Sequence, residues 1–443
     1  MRNVTTQLVP SRQTHWWWLA AGSGLLLGVA VAYTADLALG GVLVVAAMLT
    51  FARSQNRSEH LVGLFWIAFA LYSIVFYGLI IRFGFYPFYA AFIVSIVVAL
   101  VRDRLRIDPM VAWLYLGFMI SVAWSFLTFS EPIGSDVIQR LIALFVGPMV
   151  YLQFRSAQGL RPVTGAAIVT SLIVATFVIY TAVVTGFGYR GALDANPNSA
   201  ARLVAFGAVI VIAILLSRSG GPGYLRQQLV LVSSLGVMLY GMMLLASRGM
   251  VVALAVAVTA VTLRAIAADW RRSGIIVLVV SLAGLALLLP GSQSIIHRFT
   301  SPDEHVASAG SRIPIWEVTL ESLTSSNLAQ LAFGHGFDSS KPVVERRFLG
   351  QTSVHNTYLQ MFYEFGLIGA LLHIALQAYL LWRGWRTPGL HGSIMVGLTL
   401  LLVVENLSGD VADTFHYWIT MGYVAAIGLW GGAGREGREG DSA

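Results

Sequence analysis

Apolar runs long enough to cross a bilayer recur along this chain from Trp16 almost to Trp430. They fall near residues 16–33, 37–52, 61–81, 84–101, 111–129, 141–154, 163–186, 199–217, 228–247, 250–267, 273–290, 355–382, 393–407 and 417–431. A span needs ~20 apolar residues, and hydrocarbon tolerates backbone polar groups only where helices or closed barrels pair them. The chain therefore reads as an all-α polytopic membrane protein of about 12–14 transmembrane helices, the shortest runs being re-entrant or merged. Arg2 and Arg12 before a Trp-rich run, with Ala30-Val31-Ala32 after it, outline a cleavable leader. The next run, Leu37 to Phe51, follows so closely that we read an uncleaved helical hairpin.

Charge sets the topology. With a cytoplasmic N-terminus, Arg53 and Arg57, the Arg102 to Arg106 cluster, Arg155 and Arg161, Arg218 and Arg226, Arg264 to Arg272, Arg383 and Arg386, and Arg435 and Arg438 occupy every second loop. That phase follows the positive-inside rule and leaves both termini cytoplasmic. The net charge of +7 is spread over these short loops, so it indicates topology and membrane lipids, not a nucleic-acid partner. Four parts follow: a helical bundle over 1–290, a large extracytoplasmic loop over 291–354, C-terminal spanning helices over 355–431, and a disordered cytoplasmic tail over 432–443. Within the loop, Ile313 to Leu323 has Ile315, Trp316, Leu320 and Leu323 at near-helical spacing, with Pro314 suited to a first turn.

Chemistry has few carriers. There is no cysteine, so thiol nucleophiles and thiolate metal sites are excluded. Asp36, Asp194, Asp410 and Asp413 form no tight Asp-x-Asp pair, so we expect no metal and no cofactor; pairing with outer arginines suits them better. Glu364 and Glu405 lie within apolar runs, where each needs a partner or a cavity. From His355, a polar loop turns into a helix on which Asn356, Gln360 and Glu364 share one face, a pattern expected to line a wet cavity.

Several basic residues escape the inside-positive pattern, among them Arg190, Arg202, Arg248 and Arg312. Arg190 lies in a Gly-rich stretch before the Asn196-Pro197-Asn198 turn, Arg202 in the helix after it, and Arg248 in Ala-Ser-Arg-Gly-Met between two apolar runs. Any one of them fits snorkelling to headgroups as well as function. Arg190 and Arg248 together, at glycine-containing breaks on the side of His355, suit forked hydrogen bonds to an outer-leaflet pyrophosphate. His355 fits two roles, a general base for a sugar hydroxyl or a neighbour of a helix N-cap. His335, flanked by glycines, reads as a turn residue.

The blocks NPNSAARL, ASRGM, SRIPIW, GHGF, HNTYLQ and EFGLIG, in that order around one large outer loop, resemble the O-antigen ligase and polymerase superfamily over roughly Arg190 to Leu372. The resemblance implies a metal-independent, inverting glycosyltransferase at the periplasmic face of the bacterial inner membrane. Its donor would be a glycan on undecaprenyl pyrophosphate, and its acceptor lipid A-core or another glycan. Arg190 and Arg248 would hold the leaving pyrophosphate, and His355 would activate the acceptor. Arg202, Asn196, Asn198, Arg312, Asn356, Gln360 and Glu364 would support them, with Trp316 and the loop as a cover. One large outer loop favours a ligase over a polymerase. A flippase or transporter is the reading from another class; paired broken helices would mark it, and the sequence shows none.

Overall fold

The computed structural model describes residues 107–128, 143–148, 150–152, 154, 160–185, 197–217, 224–300, 312–348, 353–409 and 414–432. Among the described residues all regular structure is helical, and seven helices are long and apolar enough to span a membrane. In chain order the helices are α1 (Pro109–Thr128), α2 (Leu160–Val184), α3 (Pro197–Ser217), α4 (Tyr224–Leu245), α5 (Arg248–Ala268), α6 (Gly274–Leu288) and α7 (Gln293–Thr300). The outer-loop helices α8 (Arg312–Thr324), α9 (Leu328–Phe333) and α10 (Ser340–Arg347) follow, then α11 (Thr357–Arg386), α12 (Gly389–Asn406) and α13 (Phe415–Gly432). The expected all-α polytopic membrane fold is what the chain adopts.

Helix α3 is the centre, with 89% of its most apolar stretch inside the protein. It packs among α2, α4, α5 and α12, and α12 in turn lies against α5 and α11. Small side chains let these helices approach closely, since between lipid-embedded helices packing and interhelical hydrogen bonds replace the hydrophobic effect. Thus Ser171 of α2 donates to the Leu203 carbonyl of α3 at 2.6 Å.

The two ends of the bundle carry different chemistry. At one, Arg264 at the far end of α5 donates to the carbonyls of Trp385 and Thr387, Arg383 pairs with Asp108, and the Arg386 guanidinium lies over Trp382. Arg248 begins the same 21-residue α5, roughly 24 Å from Arg264 at 1.5 Å per residue. Arg248 thus lies at the end of the bundle opposite Arg264, Arg383 and Arg386.

Residues 355–382 read as one apolar run, but the structure breaks them. Gly366 has φ 68° and ψ −176° inside α11, dividing it into a half-helix over 357–365 and a longer half over 367–386. The Tyr358 hydroxyl meets Gln377 Oε1 at 2.7 Å although 19 positions separate them, about 28 Å along an unbroken helix. So the chain doubles back at Gly366. A break is what transporters also use, yet no matching break in a second spanning helix occurs among the described residues.

Loop residues satisfy the backbone groups that the break exposes. The amides of His335 and Gly336 donate to the carbonyls of Tyr363 and Glu364 at 3.0 and 3.3 Å. From α1, Ser125 and Ser121 donate to the carbonyls of Glu364 and Phe365 at 2.6 and 3.2 Å. A Cβ at Gly334 would fall on the Glu364 carbonyl, and one at Gly366 on the Ala332 carbonyl. The GHGF and EFGLIG blocks are therefore the two sides of one joint.

Candidate functional site

At the end opposite Arg264, short loop helices hold His355 against the bundle. Trp316 of α8 donates its indole N–H to the Val354 carbonyl at 2.9 Å. Ile315, Val344 and Val354 make a small buried cluster with Trp316, Phe348 and Leu359 packed on it. The helix expected over 313–323 is thus α8; its Ile315 and Trp316 pack on the segment just before His355 and Leu323 is buried, whereas Leu320 stays exposed.

His355 itself is half-buried and has φ 54°, the left-handed region that non-glycine residues rarely adopt. Such a residue costs on the order of 1–3 kcal/mol and persists where surrounding contacts impose it. Its Nδ1 lies 3.2 Å from Ser353 Oγ; with Nδ1 donating there, the ring lone pair sits on Nε2. Burial lowers the imidazole pKa, and the nearby Arg312 cation lowers it further, so at neutral pH the ring is a neutral base.

Asn356 is the N-cap of α11, its side chain accepting from the Leu359 amide at 3.0 Å. Gln360 and Glu364 depart from expectation. They are buried, and Glu364 Oε1 accepts from Ser340 of α10 at 2.5 Å and from Gln360 Nε2 at 3.2 Å. The face expected to line a wet cavity is sealed by the loop instead, because two polar groups held out of water gain more by pairing with Ser340 than by staying open. His335 is structural as expected, stacked on Tyr363 at 4.3 Å with Nδ1 3.2 Å from the Tyr363 carbonyl and Nε2 2.7 Å from Ser326 Oγ.

Arg248 opens α5 beside a second strained residue, Ala246 with φ 49°. Ser247, the residue between, donates to Asn198 Oδ1 at the start of α3, at 2.8 Å. A Cβ on Gly249 would meet Ser408 Oγ at 2.6 Å, so α5 starts directly against the turn that ends α12. On the other side of that turn, Thr357 Oγ1 donates to the Gly409 carbonyl at 2.7 Å. The starts of α3, α5 and α11 therefore converge, and Ser408-Gly409 separates the helix that Arg248 opens from the helix that follows His355. Three helix N-termini at one place add positive potential to the Arg248 guanidinium, the setting a phosphate needs.

Arg202 has different work. Its Nε donates to Glu405 Oε1 at 2.5 Å and its Nη1 to Thr414 Oγ1 at 3.0 Å, with guanidinium and carboxylate both buried. The pair ties α3 to α12 beneath the site and answers the requirement that Glu405 have a partner. Arg190, Asn196, Asp36, Asp194, Asp410 and Asp413 lie outside the described residues. No cluster of three or more metal-ligating side chains occurs among the described residues. Sequence reasoning missed Ser408-Gly409 and Ser353; the only cue was a Ser-Gly turn just after the buried Glu405-Asn406 pair.

Residues 233–374 match the O-antigen ligase family. This stretch begins within α4 and ends past the Gly366 break, so the matched region contains Arg248, the loop helices and His355. The match agrees with the superfamily expected from the sequence blocks, and it leaves the segment around Arg190 outside the matched region. No curated protein matches the chain. Over the matched stretch the chain is similar to O-antigen ligases, and seven of its described helices are long and apolar enough to span a membrane.

Proposed function

We propose that the chain is an O-antigen ligase. It transfers a glycan from undecaprenyl pyrophosphate to a sugar hydroxyl of lipid A-core, at the periplasmic face of the bacterial inner membrane. The observation that carries this reading is the junction at Ser408-Gly409, where the helix opened by Arg248 and the half-helix following His355 meet one turn.

The reaction assigned to this junction balances as a single displacement. His355 Nε2 takes the proton of the acceptor hydroxyl as that oxygen bonds to the anomeric carbon. The bond from that carbon to the pyrophosphate oxygen breaks, its electron pair leaving with the pyrophosphate, and the configuration inverts. Charge accumulates on the leaving group, so preorganised cations matter more than a protonating acid. Arg248 and Arg190 take that role, with the helix N-termini behind Arg248 contributing partial positive charge.

The test gives purified protein a labelled undecaprenyl-pyrophosphate glycan with and without lipid A-core. Label on lipid A supports a ligase, longer chains on undecaprenol identify a polymerase, and label only crossing liposomes identifies a transporter. His355→Ala should retain donor binding and lose transfer; wild-type turnover in that variant removes the imidazole from the mechanism.

A further inference from the structure

The half-helix over 357–365 follows directly from His355, and nothing in its own length holds it still. A helix that short is marginal in isolation, because nucleation outweighs its few hydrogen bonds, and Gly366 uncouples it from the rest of α11. Its placement therefore depends on anchors. One end is pinned at the break by Ser121, Ser125 and the loop amides. The end next to His355 is pinned by Thr357 on Gly409 and by the Tyr358 hydroxyl, 2.7 Å from Gln377 Oε1 and 3.3 Å from the Val403 carbonyl.

Gln377 belongs to a buried polar cluster with His373, Asn406 and Tyr417. Its Nε2 donates to the Tyr417 hydroxyl at 2.5 Å and lies 3.1 Å from His373 Nε2, so its carbonyl oxygen must face Tyr358. Tyr417 also receives Asn406 Nδ2 at 3.3 Å, and its hydroxyl lies 2.9 Å from His373 Nε2. Gln377, His373, Asn406 and Tyr417 are all buried, and Phe118 and Trp418 pack on the His373 ring. Hydrogen bonds made out of water hold their partners in place, and withdrawing the Tyr358 hydroxyl takes a donor from the buried Gln377 carbonyl. The transfer chemistry uses none of these side chains, yet the cluster reaches the His355 half-helix through Tyr358.

We propose that Tyr358 is a positioning residue, whose hydroxyl, docked on Gln377 in this buried cluster, sets the depth and roll of the half-helix and thereby the aim of His355 at the acceptor. The inference rests on His355 acting as the general base.

Full-length protein in nanodiscs, with labelled donor and acceptor, tests it. Tyr358→Phe keeps the ring and removes one oxygen. A misplacement of ~1 Å can cost up to about 100-fold in rate, so kcat should fall at least about tenfold, while KM for both substrates stays within about twofold because ground-state binding is untouched. Gln377→Ala should give the same loss, and the double variant should lose no more than either alone. A second readout needs no turnover: the rate at which diethyl pyrocarbonate modifies His355, followed by peptide mass spectrometry, should change several-fold in Tyr358→Phe. Wild-type kcat with an unchanged modification rate overturns the proposal, as does a fall in kcat that only tracks loss of folded protein. A changed modification rate in protein that transfers no glycan, wild type included, sinks the ligase reading and supports only that Tyr358 sets the placement of the His355 ring.

Discussion

Arg202 and Glu405 meet inside the bundle, Nε to Oε1 at 2.5 Å, with both side chains almost wholly removed from solvent. The pair joins the first turns of α3 to the last turn of α12, directly under the turn that carries Ser408 and Gly409. Breaking a buried pair leaves one charge uncompensated, at a cost of about 3–5 kcal/mol. Glu405→Gln should therefore lower the thermal midpoint markedly, and an Arg202→Met/Glu405→Leu double variant should regain most of the loss. A double variant less stable than Glu405→Gln would show that the pair is not the source of the effect.

The docking of the outer loop is equally open to test. Because a Cβ at Gly334 would overlap the Glu364 carbonyl, and one at Gly366 the Ala332 carbonyl, neither backbone can shift without losing the hydrogen bonds from the His335 and Gly336 amides that close the break. Gly334→Ala and Gly366→Ala should each unseat the loop and speed limited proteolysis within 312–348. Positive φ at both positions, 89° at Gly334 and 68° at Gly366, disfavours a Cβ as well. Wild-type protection in both variants would mean that the joint is not what holds the loop.

His355 yields a pH prediction with a definite sign. A general base works in its neutral form, so transfer is present above the folded pKa and is lost as pH falls through it. Burial and then Arg312 place that pKa below the ordinary 6.5, so the acid limb of the kcat profile should lie below pH 6.5. Arg312→Gln removes the smaller of the two causes and should move the limb part of the way upward. A limb that stays in place, or moves down, contradicts the coupling.

Gly249 and Ser408 give a paired test of the junction. Gly249→Ala brings a methyl to 2.6 Å from Ser408 Oγ but 3.6 Å from its Cβ, so the clash is with the hydroxyl alone. Transfer should drop in Gly249→Ala and recover in Gly249→Ala/Ser408→Ala. Absence of recovery would place the cause in the start of α5 itself.

How much of this was legible beforehand differs by residue. The spanning runs, the helix around Trp316 and the N-cap neighbourhood of His355 could be read because each rests on local spacing. Glu405 could be marked as needing a partner, but Arg202 stands 203 positions away in the chain, and nothing local connects them. Gln360 and Glu364 were misjudged for the same reason. Their helical face was evident, whereas Ser340, which covers it, arrives from a separate loop helix. Gly366 looked like one more glycine in an apolar run, and only the loop at Gly334 makes a break there stable.

By itself, then, the sequence determined that the chain is a helical membrane protein, through the length and polarity of its runs, with arginines recurring in the loops between them. Tertiary structure alone decided which polar groups meet. Burial in a low-dielectric interior forces each one onto whatever partner the fold delivers. The partners that matter here, Glu405 for Arg202, Gln377 for Tyr358 and the Ser408-Gly409 turn for the helices at Arg248 and His355, come from elements far apart in the chain.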